Sequence, residues 1–181
     1  MSIFNFYWII PKYITYFLIS KYETYLLTSP YYIYYILYFL KRNTNSQFRI
    51  LTDISCSDFP ERVNRFEINY HLLSIKYNTR LNVKTYLDEI TNIESIHSIY
   101  SNSVWSEREV WDLFGVYFKN NNDLRRILTD YAFEGHPLRK DFPLTGYYEL
   151  VYDNNEKLIL SQFLETTQEF RLYQYSNSWN R

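Results

Sequence analysis

Glu107, Glu109 and Asp112, with Arg108 among them, are the residues of this sequence best placed by type to do acid–base chemistry. A guanidinium beside carboxylates can tune one as an acid and another as a base. Hydrolysis by paired carboxylates also requires that both face one cleft. On a helix Glu107 and Glu109 point to different faces, while Arg108 and Asp112, four residues apart, are spaced to pair with each other. The pattern therefore predicts an ion-pair lattice and no reaction centre.

The same density of charge continues downstream. Arg125, Arg126, Arg139 and Lys140 stand beside Asp123, Asp130 and Asp141, interleaved with Leu124, Ile127, Leu128, Tyr131, Phe133, Leu138 and Phe142. From Glu107 to Asp141 six Lys/Arg oppose seven Asp/Glu, so the stretch is nearly neutral. A lone domain rarely exposes so many large apolar groups along a segment broken by Gly135 and Pro137. Arg and aromatic side chains are enriched where proteins meet. An interface surface is expected of Glu107, Arg108, Glu109, Asp112, Arg125, Arg126, Asp130, His136, Arg139, Lys140 and Asp141; the bland alternative is a segment folded back on its own domain.

Other chemistries find little support. His71, His97 and His136 are scattered, without HExxH or a His/Cys spacing, so no metal site is expected. Three isolated glycines, Gly115, Gly135 and Gly146, cannot build a phosphate loop and suit turns and helix ends. The single cysteine, Cys56, excludes internal disulfides and a self-contained iron–sulfur cluster. No nucleophile motif occurs, so catalytic, cofactor and metal residues are all expected to be absent. The formal net charge of −1 and a pI near 6.3 give no electrostatic case for nucleic acid.

The elements that must carry these residues are legible in outline. Residues 4–20 read as a short helix or extended arm broken at Pro11. Tyr22–Thr28 alternates as a strand, and Ser29-Pro30 opens a helix to about Leu40 or Asn43. Phe48–Ile54 is a strand. Arg65–Leu87 gives a β-hairpin turning near Asn78-Thr79, with Phe66, Ile68, Tyr70 and Leu72 on one face and Leu81, Val83, Thr85 and Leu87 on the returning strand. Ile93–Phe114 reads as a helix in two pieces, ended by Gly115. Tyr147–Tyr152 and Lys157–Gln162 form a second hairpin, followed by a polar, aromatic tail. The expected fold is α+β, a mixed or mainly antiparallel sheet with helices packed on one side, then an extended charged segment and tail. The domain is expected over residues 1–118 and the interface segment over 119–181.

The apolar run Tyr31–Leu40 is too short to cross a membrane, which takes about 18 residues or more. The first twenty residues are interrupted by Pro11-Lys12 and hold no arginine, which argues against an imported transit peptide. Tyr, Phe, Ile, Asn and Lys abound and are encoded by AT-rich codons, as expected of an organellar genome.

The run EREVWDLFGVYF, Glu107–Phe118, followed by DLRRILTDYAFEGHPLRKDFPLTGYYE, Asp123–Glu149, resembles the signature of the thirty-kilodalton subunit family of respiratory complex I. Further stretches resemble that family in order: IIPKYI, FLKRNTNSQFRILTDISCSDFPERVNRFEINYHLLS, LNVKTYLDE and TTQEFR. The likeness covers essentially the whole chain. One departure stands out: the family's His-Pro before DLRR is replaced by Asn121-Asn122.

The resemblance implies a non-catalytic core subunit of the peripheral, matrix arm of NADH:ubiquinone oxidoreductase. It implies no cofactor bound by this chain, the FMN and iron–sulfur clusters lying on other subunits. The implied partners are peripheral-arm subunits, chiefly the large quinone-site subunit and neighbouring iron–sulfur subunits. The implied location is the matrix side of the mitochondrial inner membrane. A subunit of a related membrane-bound hydrogenase or a chloroplast-type dehydrogenase complex, and a stand-alone enzyme using the acidic cluster, are the rival readings.

Overall fold

The computed structural model describes residues 10–20, 23–169, 171–173, 177 and 179. The chain divides into two compact units, one running to Lys140 and one from Asp141 onward. The first unit thus extends past the boundary expected at 118, because residues 121–140 are bonded to the helix that precedes them.

The first unit is built on a five-stranded sheet. Its strands are β1 (Ile14–Ile19), β2 (Thr24–Thr28), β3 (Ile50–Asp58), β4 (Phe66–Ser74) and β5 (Thr79–Leu87), in the order β1-β2-β5-β4-β3. All neighbours are antiparallel except β2 and β5. That parallel pair exists because the chain leaves β2 through helix α1 (Ile33–Arg42) and returns as the meander β3-β4-β5. Two short parallel strands, β6 (Ile93–Glu94) and β7 (Phe118–Lys119), bracket helix α2 (Ser103–Phe114). The result is the expected α+β architecture, a mixed, mostly antiparallel sheet with helices on one side.

Period-two burial fixes the sheet's faces. Phe66, Ile68, Tyr70 and Leu72 on β4 and Leu81, Val83, Thr85 and Leu87 on β5 are buried, as the alternation predicts. Ile33, Ile36, Leu37 and Leu40 of α1, at helical spacing, cover part of that face with no measurable exposure. Full burial of one such side chain stabilises by about 1.5–3 kcal/mol. Glu67, Asn69 and His71 of β4 point to the other face, opposite Ser57, Ser55 and Asp53 of β3.

Of the helix and the extended arm left open for residues 4–20, residues 10–20 take the extended form and carry β1, while residues 1–9 lie outside the described residues. Two expectations are corrected in detail. Pro30–Tyr32 form a 3-10 turn before α1, and Ser29 makes no side-chain cap. Ile93–Phe114 is a helix only from Ser103. Glu107 takes the Ile96 amide and the Ser95 hydroxyl, which pins the preceding residues outside the helix as strand and turn.

In the second unit β8 (Tyr148–Asp153) pairs antiparallel with β9 (Leu158–Phe163), as expected of the second hairpin. Leu150, Tyr152, Leu158, Ile159 and Phe163 are all more than half exposed.

Candidate functional site

Helix α2 organises the charged segment. Asp112, fully buried, points its carboxylate at the loop 126–129. Oδ2 accepts three consecutive backbone N–H groups, from Ile127 (3.1 Å), Leu128 (2.7 Å) and Thr129 (3.0 Å). Oδ1 accepts the Thr129 hydroxyl at 2.6 Å and the Arg126 guanidinium at 3.4 Å. Burial alone would push this carboxyl up, but the Thr129 hydroxyl and the three amides outweigh it and hold Asp112 below the usual carboxylate range. Arg108 completes the clamp from one turn earlier, donating from Nε to the Arg125 carbonyl at 3.0 Å, with its guanidinium carbon 5.0 Å from the Trp105 ring centre.

Glu107 is the second buried carboxylate. Oε1 accepts the Ile96 amide (2.9 Å) and the Ser103 hydroxyl (3.0 Å). Oε2 accepts the Ser95 hydroxyl (2.6 Å) and Asn121 Nδ2 (2.7 Å). The Asn121 side chain also accepts the Asp123 amide at 2.9 Å. Asn121 thereby ties the DLRR loop to the helix with a group that cannot titrate.

The C-terminus of α2 is capped in trans. An α-helix leaves its last carbonyls without intrahelical partners. Here the Asp112 carbonyl accepts His136 Nδ1–H (3.0 Å), Leu113 accepts the Leu138 amide (3.1 Å) and Phe114 accepts Arg139 Nε–H (2.6 Å). Gly115 turns left-handed (φ 78°), and its own amide closes on Trp111. A Cβ at Gly115 would lie 2.5 Å from His136 Nε2 and 2.6 Å from Arg139 Nη2, so the segment can seat only over a glycine. Burial, then repulsion from Arg139 and Arg126, push His136 below its ordinary value, while its bond to the Asp112 carbonyl opposes this. Past Arg139 the Lys140 amide donates to Asp58 at 2.8 Å. Arg65 holds the same carboxylate through two bonds, 2.6 and 2.8 Å, which is the main reason Asp58 sits below the carboxylate range.

The eleven charged or titratable residues picked from the sequence thus separate. Glu107, Arg108 and Asp112 are buried in bonds internal to the unit. Arg126, His136 and Arg139 are half-buried against α2. Glu109, Arg125, Asp130, Lys140 and Asp141 are exposed. The expected Arg108–Asp112 pair is replaced: Arg108 serves main-chain carbonyls and Asp112 takes Arg126. Around them Leu128 (59% exposed), Tyr131 (100%) and Leu138 (50%) stand out from the surface. Sequence reasoning missed Asp58, Arg65, Asn121 and Thr129 as members of the clamp. It also missed that folding brings Ser55, His71 and Asn82 together on the far face of the sheet.

Comparison with known proteins points one way. Residues 26–148 match the family described as the respiratory-chain NADH dehydrogenase 30 Kd subunit. The chain is 51% identical over 173 residues to NADH-ubiquinone oxidoreductase subunit 9 of Reclinomonas americana, covering 96% of this chain and 85% of that one. It is 52% identical over 150 residues to NADH dehydrogenase [ubiquinone] iron-sulfur protein 3 of Beta trigyna, covering 83% and 78%. Its fold is similar to a chain in the membrane-bound sulfane sulfur reductase, an archaeal respiratory membrane complex, with a TM-score of 0.64 at 27% identity over 76% of this chain and 82% of that one. The clamp about α2 lies wholly inside the matched stretch, and the chain belongs to the 30 Kd subunit family of respiratory-chain NADH dehydrogenase.

Proposed function

We propose that this chain is a core structural subunit of the peripheral arm of NADH:ubiquinone oxidoreductase, on the matrix side of the mitochondrial inner membrane. It supports electron transfer by holding the quinone-reducing module together and carries out none of that transfer itself. Its partners are other subunits of the complex, chiefly the large subunit of the quinone site and neighbouring iron–sulfur subunits. The observation that carries this reading is the division of labour within the family signature. Its buried acids lock the ribbon to the domain, and the locked ribbon presents Leu128, Tyr131 and Leu138 outward on a rigid base. Large exposed apolar groups rimmed by charge mark protein-binding surfaces. No described helix is long and apolar enough to cross a membrane.

Some relatives are named iron-sulfur proteins. The donors of this chain do not fit a cluster, which takes several thiolates. Cys56 is the sole cysteine, and burial, then the Asp58 charge, push its thiol up to about 12. The chain accordingly binds no cluster of its own.

Tyr131→Ala combined with Leu128→Ala tests the proposal. Loss of assembled complex on native gels is expected, with the isolated chain's unfolding midpoint unchanged and normal cluster EPR signals in whatever complex forms. Full assembly with a missing cluster signal would contradict it.

A further inference from the structure

On the sheet face away from the helices, side chains of four strands join in one polar chain. Ser55 of β3 lies 2.9 Å from His71 Nε2 of β4, and His71 Nδ1 lies 2.8 Å from Asn82 Oδ1 of β5. Asn82 Nδ2 donates to Glu23 Oε2 at 3.4 Å, beside β2, and the Tyr25 hydroxyl donates to the same oxygen. The carboxylate fixes the amide: its nitrogen faces Glu23, so its oxygen faces the imidazole and can only accept. Nδ1 therefore carries the proton, and Nε2 is left to accept the Ser55 hydroxyl. A hydroxyl on an imidazole base, the base oriented by a third group, is the arrangement that activates a serine.

A second feature adjoins it. Asn69 is the direct cross-strand partner of Ser55, and its Oδ1 is buried without a hydrogen bond. That amide can turn its Nδ2 to the oxygen of a carbonyl held at Ser55, the role of a side-chain oxyanion donor. Two further acids lie on this face: Glu67 accepts from Lys84 at 2.8 Å, and Asp53, beside His71, accepts the Ile54 amide and the Ser106 hydroxyl.

We propose that Ser55 is a self-modification site that takes an acyl group from small acyl thioesters. Ser55 Oγ forms the ester bond to the acyl carbon while His71 Nε2 takes the hydroxyl proton. The carbon–sulfur bond breaks, and the departing sulfur leaves with the electron pair and collects the proton from Nε2. One acyl group is exchanged for one proton, with no redox step.

The chain contains its own control. Ser57 lies two residues along β3 on the same face, is likewise half-buried, and stands opposite Glu67, whereas Ser55 stands opposite Asn69 and bonds the His71 imidazole. Incubating the full-length chain with a small acetyl thioester and mapping the peptides by mass spectrometry should find Ser55 acetylated at least ~10-fold faster than Ser57, the low end of the range for a positioned base falling at about 100-fold. His71→Gln should bring Ser55 down to the Ser57 rate, and Asn82→Asp, which still accepts from Nδ1, should keep it reactive. Equal rates at the two serines in the unaltered chain would overturn the proposal whether or not a variant folds. So would a fast Ser55 in a folded His71→Gln chain.

Discussion

Neutralising Asp112 would leave one weaker acceptor facing three amides, a hydroxyl and a guanidinium. Hydrogen bonds to a charged group contribute about 1.5–3 kcal/mol each when intact, and orphaning buried donors costs comparably. Asp112→Asn should therefore lower the stability of the full chain by about 2–3 kcal/mol, read from the urea midpoint. Amide exchange should quicken first at Ile127, Leu128 and Thr129. Thr129→Val, which removes one neutral donor, should cost about 1 kcal/mol. If both variants lose the same amount, the carboxylate does not dominate the clamp.

Gly115 and Gly146 share a left-handed backbone but differ in their surroundings. At Gly146 a Cβ would meet only the Phe142 ring at 3.9 Å, whereas at Gly115 it would collide with His136 and Arg139. Gly146→Ala should thus cost about 1 kcal/mol of backbone strain. Gly115→Ala should cost more and also free the amides of Leu138 and Arg139 to exchange. Similar exchange in the two variants would count against the trans cap.

At the level of the element, α2 is a hub whose C-terminal half is finished by a segment well downstream in the chain. His136 makes that attachment sensitive to acid. Its docked value is lowered from the ordinary imidazole value of about 6.5. A released or unfolded segment therefore binds a proton more readily than the docked one, and stability rises with pH across that window. Docking is at full strength above about 6.5 and weakens as pH falls toward the docked value. Proteolysis at 136–140, or amide exchange there divided by its intrinsic rate at each pH, should accelerate as pH falls below about 6.5, and His136→Asn, which keeps a donor without titrating, should flatten the profile. A profile unchanged by that variant would remove His136 from the account. Asn121 behaves in the opposite way. It holds Glu107 with an amide, which takes up no proton, so the 121–123 turn gains no such histidine-borne acid sensitivity.

At the level of the whole molecule, the β8–β9 hairpin is a two-stranded sheet with apolar side chains exposed on both faces. Such a sheet is only marginally stable by itself in water, and its exposed surface favours association. Ile159→Asp with Phe163→Asp should make the isolated chain more soluble and, at the same time, lower its yield in the assembled complex. Improved solubility with undiminished assembly would show that this surface is dispensable for partners.

How much of this was legible in the letters depends on the kind of bond. The β4–β5 hairpin was readable because period-two burial writes itself into alternate residues from Phe66 to Leu87. Gly115 was readable as a helix end because its conformation excludes other residues. Residues 93–102 were misread because apolar residues among serines fit a helical period, and only the distant Glu107 decides where their amides and hydroxyls go.

The sequence by itself determined the α+β composition, the hairpins, the absence of thiolates for a cluster and the family to which the chain belongs. Tertiary structure alone decided which charges face inward. The partners of Asp112 and the caps of α2 are largely backbone amides and carbonyls, which every residue carries and no letter distinguishes. Folding likewise set Ser55, His71 and Asn82 side by side, because strand register joins residues that sequence separation keeps apart.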